Sequence, residues 1–108
     1  MAAMAMLRIY TREDETWQGT SLHSALVQRA RQSAIAGATV LRGVEGYGAD
    51  RRVHTARLID ISPQLPMIVE FVDEEQKLRD FLAAVEEMLG SGLATLQPVE
   101  VVRHVAGD

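Results

Sequence analysis

Residues 67–90 run MIVEFVDEEQKLRDFLAAVEEMLG, a pattern that predicts a buried strand followed directly by an amphipathic helix. All residues but one in 67–72 are apolar, which is typical of a strand covered on both faces. Asp73 and Gln76 have the spacing of a capping box, so we expect the helix to open at Asp73 and to end at Gly90. Its apolar positions recur at helical spacing and are Leu78, Phe81, Leu82, Val85, Met88 and Leu89.

The chain on either side of this unit repeats the alternation of strand and helix. Residues 4–11 alternate as a strand, and residues 20–35 have the apolar stripe of a helix capped by Thr20. Gly37 stands where a left-handed residue would end that helix, and strands are expected at 38–42 and 94–103. The order βαββαβ predicts an α+β, ferredoxin-like sandwich with a four-stranded antiparallel sheet and two helices on one face. The first and third strands would be central.

Composition excludes several classes of protein. The length of 108 residues favours one domain spanning residues 1–108, with residues 105–108 expected to fray. The absence of cysteine rules out disulfides and thiol chemistry and favours the cytosol. No apolar run is long enough for a membrane span, so no membrane insertion is expected. The net charge of −4 argues against a nucleic acid partner.

The strands carry apolar residues on both faces, although two helices can cover only one face of a four-stranded sheet. The other face therefore needs a partner. Homo-oligomers with closed symmetry are the usual solution, so we expect sheets packed together in a ring or a dimer.

Residues 43–66 form a long Gly- and Arg-rich connection that begins GVEGYG at 43–48 and contains RRVHT at 51–55. A short extra strand is expected at 57–61. Four arginines and only two acids fall between residues 42 and 57, whereas the rest of the chain is acidic. Glycine N–H groups beside guanidinium groups suit an anionic ligand. The alternatives are a bulge or turn that needs positive φ at glycine, or a solvated charged loop.

Three segments together resemble a family of PII-like domains of unknown function, related to the PII signalling proteins. They are AGATVLRGVEGYGADRRVHTARL at 36–58, DEEQKLRDFL at 73–82 and LQPVEVVRH at 96–104. The resemblance implies a homotrimer with effector sites in the clefts between subunits, adenine nucleotides as ligands, and a mobile loop that signals to a partner protein such as a transporter or an enzyme. It also implies that Gly46, Tyr47 and Gly48 line the cleft and that Arg103 faces the ligand's phosphates across the subunit boundary.

The chain departs from PII proteins after the second helix, where their phosphate loop contains glycine and lysine. Here the turn is only Gly90-Ser91-Gly92, without lysine. The ligand is then a smaller anion, a nucleotide in a different pose, or absent. From charge alone we infer that Arg51, Arg52 and His54 supply the donors that this turn lacks. With Arg42 of the same basic stretch and the residues that the resemblance implies, the ligand-binding candidates are Arg42, Gly46, Tyr47, Gly48, Arg51, Arg52, His54 and Arg103.

No pattern of catalytic or metal-ligating residues stands out, since the three histidines lie apart and no G-x-S-x-G or H-E-x-x-H motif occurs. The sequence therefore predicts a non-enzymatic regulatory protein without a metal site. The alternative is a structural or metal-tolerance-type trimer that binds no nucleotide.

Overall fold

The computed structural model describes residues 2–48, 51–55 and 64–105. Their elements, in chain order, are β1 (Met4–Arg12), β2 (Thr16–Trp17), β3 (Thr20–Ser21), α1 (Leu22–Gln32), β4 (Gly37–Arg42), β5 (Glu45–Gly46), β6 (His54–Thr55), β7 (Pro66–Glu74), α2 (Glu75–Val85), a 3₁₀ turn (Glu86–Met88) and β8 (Leu93–Pro98). The long strands form one antiparallel sheet in the order β4-β7-β1-β8. The predicted ferredoxin-like fold is confirmed, with the first and third long strands in the centre.

One face of the sheet packs on both helices and forms the core. Buried and half-buried residues alternate strictly along β1 and β7, as expected for strands with one covered face. Leu7 pairs with Phe71 across these two strands. The Phe71 ring meets Phe81 of α2 edge-on, with ring centroids 5.0 Å apart. Leu26 of α1 is fully buried in the same cluster, so both helices cover this one face.

The other face of the sheet is left open by the helices. Its central pair is Arg8 and Glu70, joined by an ion pair of 2.6 Å between Nε and Oε2. Beside that pair runs a row of large apolar side chains, one from each long strand in sheet order, namely Leu41, Ile68, Tyr10 and Leu93. Leu41 is 42% exposed and Leu93 58% exposed. The expectation that apolar residues occur on both faces is met at this row.

The start and end of α1 differ from the prediction. Thr20 does not cap the helix, because Thr20 and Ser21 pair with β2 across a tight turn in which Gln18 and Gly19 have positive φ. The left-handed residue after the helix is Ala34 (φ 59°) and not Gly37, which begins β4. Ala34 takes this conformation because the N–H of Ile35 closes the helix on the carbonyl of Ala30 (3.0 Å).

The capping box predicted at α2 is wrong. Asp73 belongs to β7, and the residue before the helix is Glu74, which makes no side-chain cap. Gln76 donates instead to Asp80 on the helix surface (2.9 Å). The helix itself ends at Val85 and continues as the 3₁₀ turn, so the apolar stripe is right and the boundaries are not.

The last strand is shorter than predicted and ends at Pro98 instead of Arg103. Pro98 pairs with Ala5, and the N–H of Val99 still reaches the carbonyl of Met4 (3.1 Å). Because β1 begins at Met4, no residue of β1 remains to pair with the described residues beyond 99. Residues 101–105 are exposed. The strand predicted at 57–61 and most of the 105–108 tail lie outside the described residues.

Candidate functional site

A cavity of about 340 Å³ lies where the C-terminal end of β1 meets the base of the central connection. Its walls come from residues 10–12 and 15, from residues 46–48, from residues 64 and 66, and from the 91–93 turn. A smaller cavity of about 210 Å³ adjoins it and shares residues 10, 11, 15 and 91–93. Four distant parts of the sequence therefore meet at one site, which is the arrangement expected of a ligand-binding cleft.

Two glycines at the base of the central connection, Gly43 and Gly46, pack closely against Pro66. A Cβ on Gly46 would lie 2.9 Å from Cγ of Pro66, and a Cβ on Gly43 would lie 3.1 Å from Cβ of Pro66. The N–H of Gly43 also donates to the Pro66 carbonyl (2.7 Å). Neither glycine has positive φ, and neither does Gly48, so the turn interpretation of this motif is wrong. Residues 43 and 46 favour glycine because the two ends of the connection approach each other closely at Pro66.

The cavity wall formed by the 12–15 turn is held in place by hydrogen bonds on every side. The N–H of Arg12 donates to Oε1 of Glu15 (2.8 Å), and the N–H of Glu15 donates to the carbonyl of Arg12 (3.1 Å). The carbonyl of Glu15 accepts from the first residue of α1, Leu22 (2.8 Å). The N–H of Glu13 donates to the carbonyl of Leu65 (2.8 Å). The turn thus ties β1, α1 and the exit of the central connection together.

Arginines near the cavity are paired with acids of the same turn. Nε of Arg12 lies 3.1 Å from Oδ1 of Asp14, and Nη2 of Arg42 lies 2.7 Å from Oε2 of Glu13. Arg42, a predicted ligand residue, is therefore directed toward Glu13, and it does not line either described cavity. The physical reason is that β4 ends beside the acidic turn, where a guanidinium gains charge-assisted hydrogen bonds.

Three of the eight predicted site residues meet at the cavity: Gly46, Tyr47 and Gly48. Arg51, Arg52 and Arg103 are exposed and, within the described part of one chain, lie outside its walls. Arg51 has a positive φ of 57° and donates its N–H to the carbonyl of Gly48 (2.9 Å). The backbone of His54 pairs with Gly46 in the small β5–β6 ribbon, an element that the sequence pattern did not indicate.

Sequence reasoning missed most of the cavity wall. The predicted ligand residues do not include Tyr10, Arg12, Glu15 or Leu93. The available signal was the strand alternation of β1, which directs Tyr10 away from the helices, with Leu93 opposite it in the sheet. Glu15 gave no local signal, because its place in the wall depends on the approach of residues 46–48 and 91–93, which are distant in the chain.

Two absences among residues 2–48, 51–55 and 64–105 bear on chemistry. No group of three or more His, Asp or Glu side chains lies together in a way that could hold a metal ion. No helix in this part of the chain is long and apolar enough to cross a membrane.

Comparison with known proteins places residues 4–101 within a family model, DUF190, described as "Uncharacterized ACR, COG1993". A UPF0166 protein of Aquifex aeolicus is 40% identical over 99 residues, covering 90% of this chain and 91% of that protein. Among solved structures, a nitrogen regulatory PII-like protein, CPII, of Thiomonas intermedia K12, bound to ADP, AMP and bicarbonate, matches with a TM-score of 0.69. It is 13% identical and the match covers 93% of this chain and 89% of that one.

The divalent ion tolerance protein CutA1 of Ehrlichia chaffeensis also has a similar fold, with a TM-score of 0.58 and 8% identity over 97% of this chain and 87% of that one. CutA1 of Oryza sativa matches with a TM-score of 0.64 and 10% identity, covering 94% of this chain and 84% of that one. At these identities the likeness to the solved structures shows a shared fold. The resemblance to PII-like proteins inferred from sequence is confirmed at the level of family and fold.

Proposed function

Since the chain belongs to the DUF190 family and has the fold of PII-like proteins, we propose that it is a non-enzymatic regulatory protein that binds a small anionic ligand, an adenine nucleotide. The ligand sites would lie at the clefts between subunits of a homotrimer. Binding there would alter the 43–66 connection and so modulate a partner protein such as a transporter or an enzyme. A ligand acts in this way only if it contacts one state of the connection better than the other.

The observation that carries this proposal is the position of the 340 Å³ cavity at both ends of the central connection. Gly46, Tyr47 and Gly48 follow the entry, and Pro66 marks the exit, so one occupant would touch both. The volume lies at the lower end of the range for small-molecule sites, roughly 300–1,000 Å³. An open cavity of this size in one subunit is compatible with a site that a second subunit completes.

The open sheet face supports the trimer. Leu41 and Leu93 present large apolar side chains there at 42% and 58% exposure, at the two edges of a row that crosses the whole sheet. Exposed apolar surface of this kind marks sites of protein association. Sedimentation at micromolar concentration should give about three times the 11.9 kDa chain mass. A species of one chain mass would contradict the trimer.

The missing anion donors would come from two exposed regions. Arg51 and Arg52 come a few residues after Tyr47, which lines the cavity, and Arg103 lies in the exposed segment beyond β8. In a trimer, that segment is in a position to contact the cleft of a neighbouring subunit. These arginines would supply the charge that the absent phosphate-loop lysine supplies in PII proteins.

Calorimetric titration of the full chain with ADP and with AMP tests the proposal. The double variant Arg51→Ala/Arg52→Ala should bind at least about tenfold more weakly, because charge-assisted hydrogen bonds contribute roughly 1.5–3 kcal/mol each. The matched control Arg29→Ala/Arg31→Ala removes the same charge from the end of α1 and should bind as the wild type does. Equal affinity in the two double variants would reject Arg51 and Arg52 as ligand residues, whereas no binding to the wild type would reject the nucleotide.

A structural or metal-tolerance-type trimer is the second candidate, favoured by the fold shared with CutA1. A thermal-shift panel of nucleotides, divalent metals and small anions separates the two, because a ligand that binds only the folded state raises its apparent stability. A shift with metals and none with nucleotides would favour this second candidate.

A further inference from the structure

The cavity has an apolar, partly aromatic side. Tyr10 and Tyr47 line it together with Pro66 and Leu93. Rings of this kind gain most from a flat partner that stacks on them or meets their edge. The described cavity therefore favours a planar ring system at this side.

Glu15 provides the acidic group of the same lining, and it also lines the adjoining smaller cavity. Its side chain is half-buried and its Oε1 accepts the N–H of Arg12 (2.8 Å), while its carbonyl is held by the N–H of Leu22 (2.8 Å). Both ends of the residue are thus fixed before any ligand arrives. The basic group of the same lining, the Arg12 guanidinium, is paired with Asp14 at 3.1 Å.

An ionised carboxylate can only accept hydrogen bonds. A ligand atom that meets Glu15 must therefore be a donor, such as an exocyclic amino group, and a carbonyl oxygen or a phosphate at that point would be repelled. This requirement also sets the direction of the ligand. Its planar, donor-bearing end would lie by Glu15, and its anionic end would lie toward the exposed Arg51 and Arg52.

We propose that Glu15 is a specificity-determining residue that selects a planar heterocycle bearing an amino group over the same heterocycle bearing a carbonyl group. The inference rests on the proposed function, since it concerns the base of a nucleotide bound in the same cavity. For purine nucleotides, the probes are AMP and IMP, which carry an amino group and a carbonyl group at C6 and differ also at N1, an acceptor in AMP and an N–H donor in IMP. Placing an acceptor opposite the half-buried Glu15 carboxylate costs roughly 1–3 kcal/mol, so AMP should bind at least about fivefold more tightly than IMP.

The test is the calorimetric affinity of AMP and of IMP for the full-length wild type, for Glu15→Gln and for the control Glu87→Gln, an exposed acid on the 3₁₀ turn. Glutamine keeps an oxygen for the Arg12 N–H and adds a donor. In Glu15→Gln the affinity for AMP should fall and the affinity for IMP should rise, so that the two come within about threefold. A merely structural defect would weaken both. The control should keep the wild-type ratio.

Three outcomes would overturn the inference. Equal binding of AMP and IMP by the wild type would show that the protein does not select between them. An unchanged ratio of the AMP and IMP affinities in Glu15→Gln would show that another residue makes the selection. Both leave the proposed function standing, because the nucleotide still binds. Failure of both nucleotides to bind the wild type would overturn the proposed function and this inference with it. A thermal melt of each variant confirms that affinities are compared between folded proteins.

Discussion

Replacing Asp73 by Asn removes a charged acceptor at the junction of β7, α2 and the α1–β4 connection. The Asp73 side chain is only 10% exposed, and its two oxygens accept the N–H groups of Ala36 (2.8 Å) and Glu74 (2.7 Å). Nζ of Lys77 lies 3.4 Å from Oδ2. Asparagine retains one acceptor and turns an NH₂ toward the second N–H. The loss of one charge-assisted bond and the unpaired donor together should lower the free energy of unfolding by about 2–3 kcal/mol.

Two measurements check this magnitude. Urea unfolding at neutral pH gives the difference in free energy directly, and a thermal melt should show a loss of about 10 °C for a domain of this size. The matched control is Asp80→Asn, because Asp80 is an exposed acid on α2 that accepts only from Gln76. Its change should stay within about 0.5 kcal/mol. If Asp73→Asn costs no more than Asp80→Asn, the carboxylate does not hold the junction as argued.

The same variant has a pH dependence whose sign follows from the carboxyl group's surroundings. Burial raises the pKa of Asp73, but the N–H groups of Glu74 and Ala36 and the charge of Lys77 outweigh it and hold the pKa below the ordinary value of 3.8. A group whose pKa is lowered by folding stabilises the protein fully above its unfolded value. The difference between wild type and Asp73→Asn should therefore persist above pH 3.8 and shrink as the pH falls through the folded-state value. A difference that stays constant into strong acid would refute the electrostatic part of the reasoning.

Two further predictions concern the cavity and the open sheet face. Gly46→Ala should weaken nucleotide binding severalfold, because its Cβ would meet Pro66 Cγ at 2.9 Å and displace the cavity wall. The control Gly37→Ala has open space around its Cβ and lies outside both cavities, so equal calorimetric affinities of the two variants would contradict this. Leu41→Glu should shift the sedimenting mass toward that of one chain, because it places a charge on the open face, whereas the control Ala83→Glu, exposed on α2, should not. An unchanged oligomer in Leu41→Glu would show that the open face is not part of the interface.

The elements and the covered face were predictable because they depend on local periodicity. Alternation placed Leu7 and Ile9 on the covered side of β1, and helical spacing identified Leu78 and Phe81 of α2, all of which are buried. The boundaries were less predictable, since they depend on partners. The last strand ends at Pro98 because β1 begins at Met4, and no pattern within residues 94–103 contains that information.

The candidate site was also predictable only where the signal is local in the sequence. Gly46, Tyr47 and Gly48 could be found from sequence, because a Gly-aromatic-Gly motif in a basic connection is a local signal. The basic residues around this motif could also be recognised from the sequence, but their positions relative to the cavity could not. Arg42 was expected at the ligand and is instead paired with Glu13, a residue of the turn after β1.

By itself, the sequence determined the order of strands and helices, the face of each that is buried, and the resemblance to a PII-like family, since all three are carried by short-range pattern and motif. Only the tertiary structure decided where the cavity lies and which side chains line it. Its walls come from four segments that are far apart in the chain, and the turn that carries Glu15 is joined to the exit of the central connection by the bond from the Glu13 N–H to the Leu65 carbonyl. Contacts between residues distant in sequence exist only after folding, so no local pattern can record them.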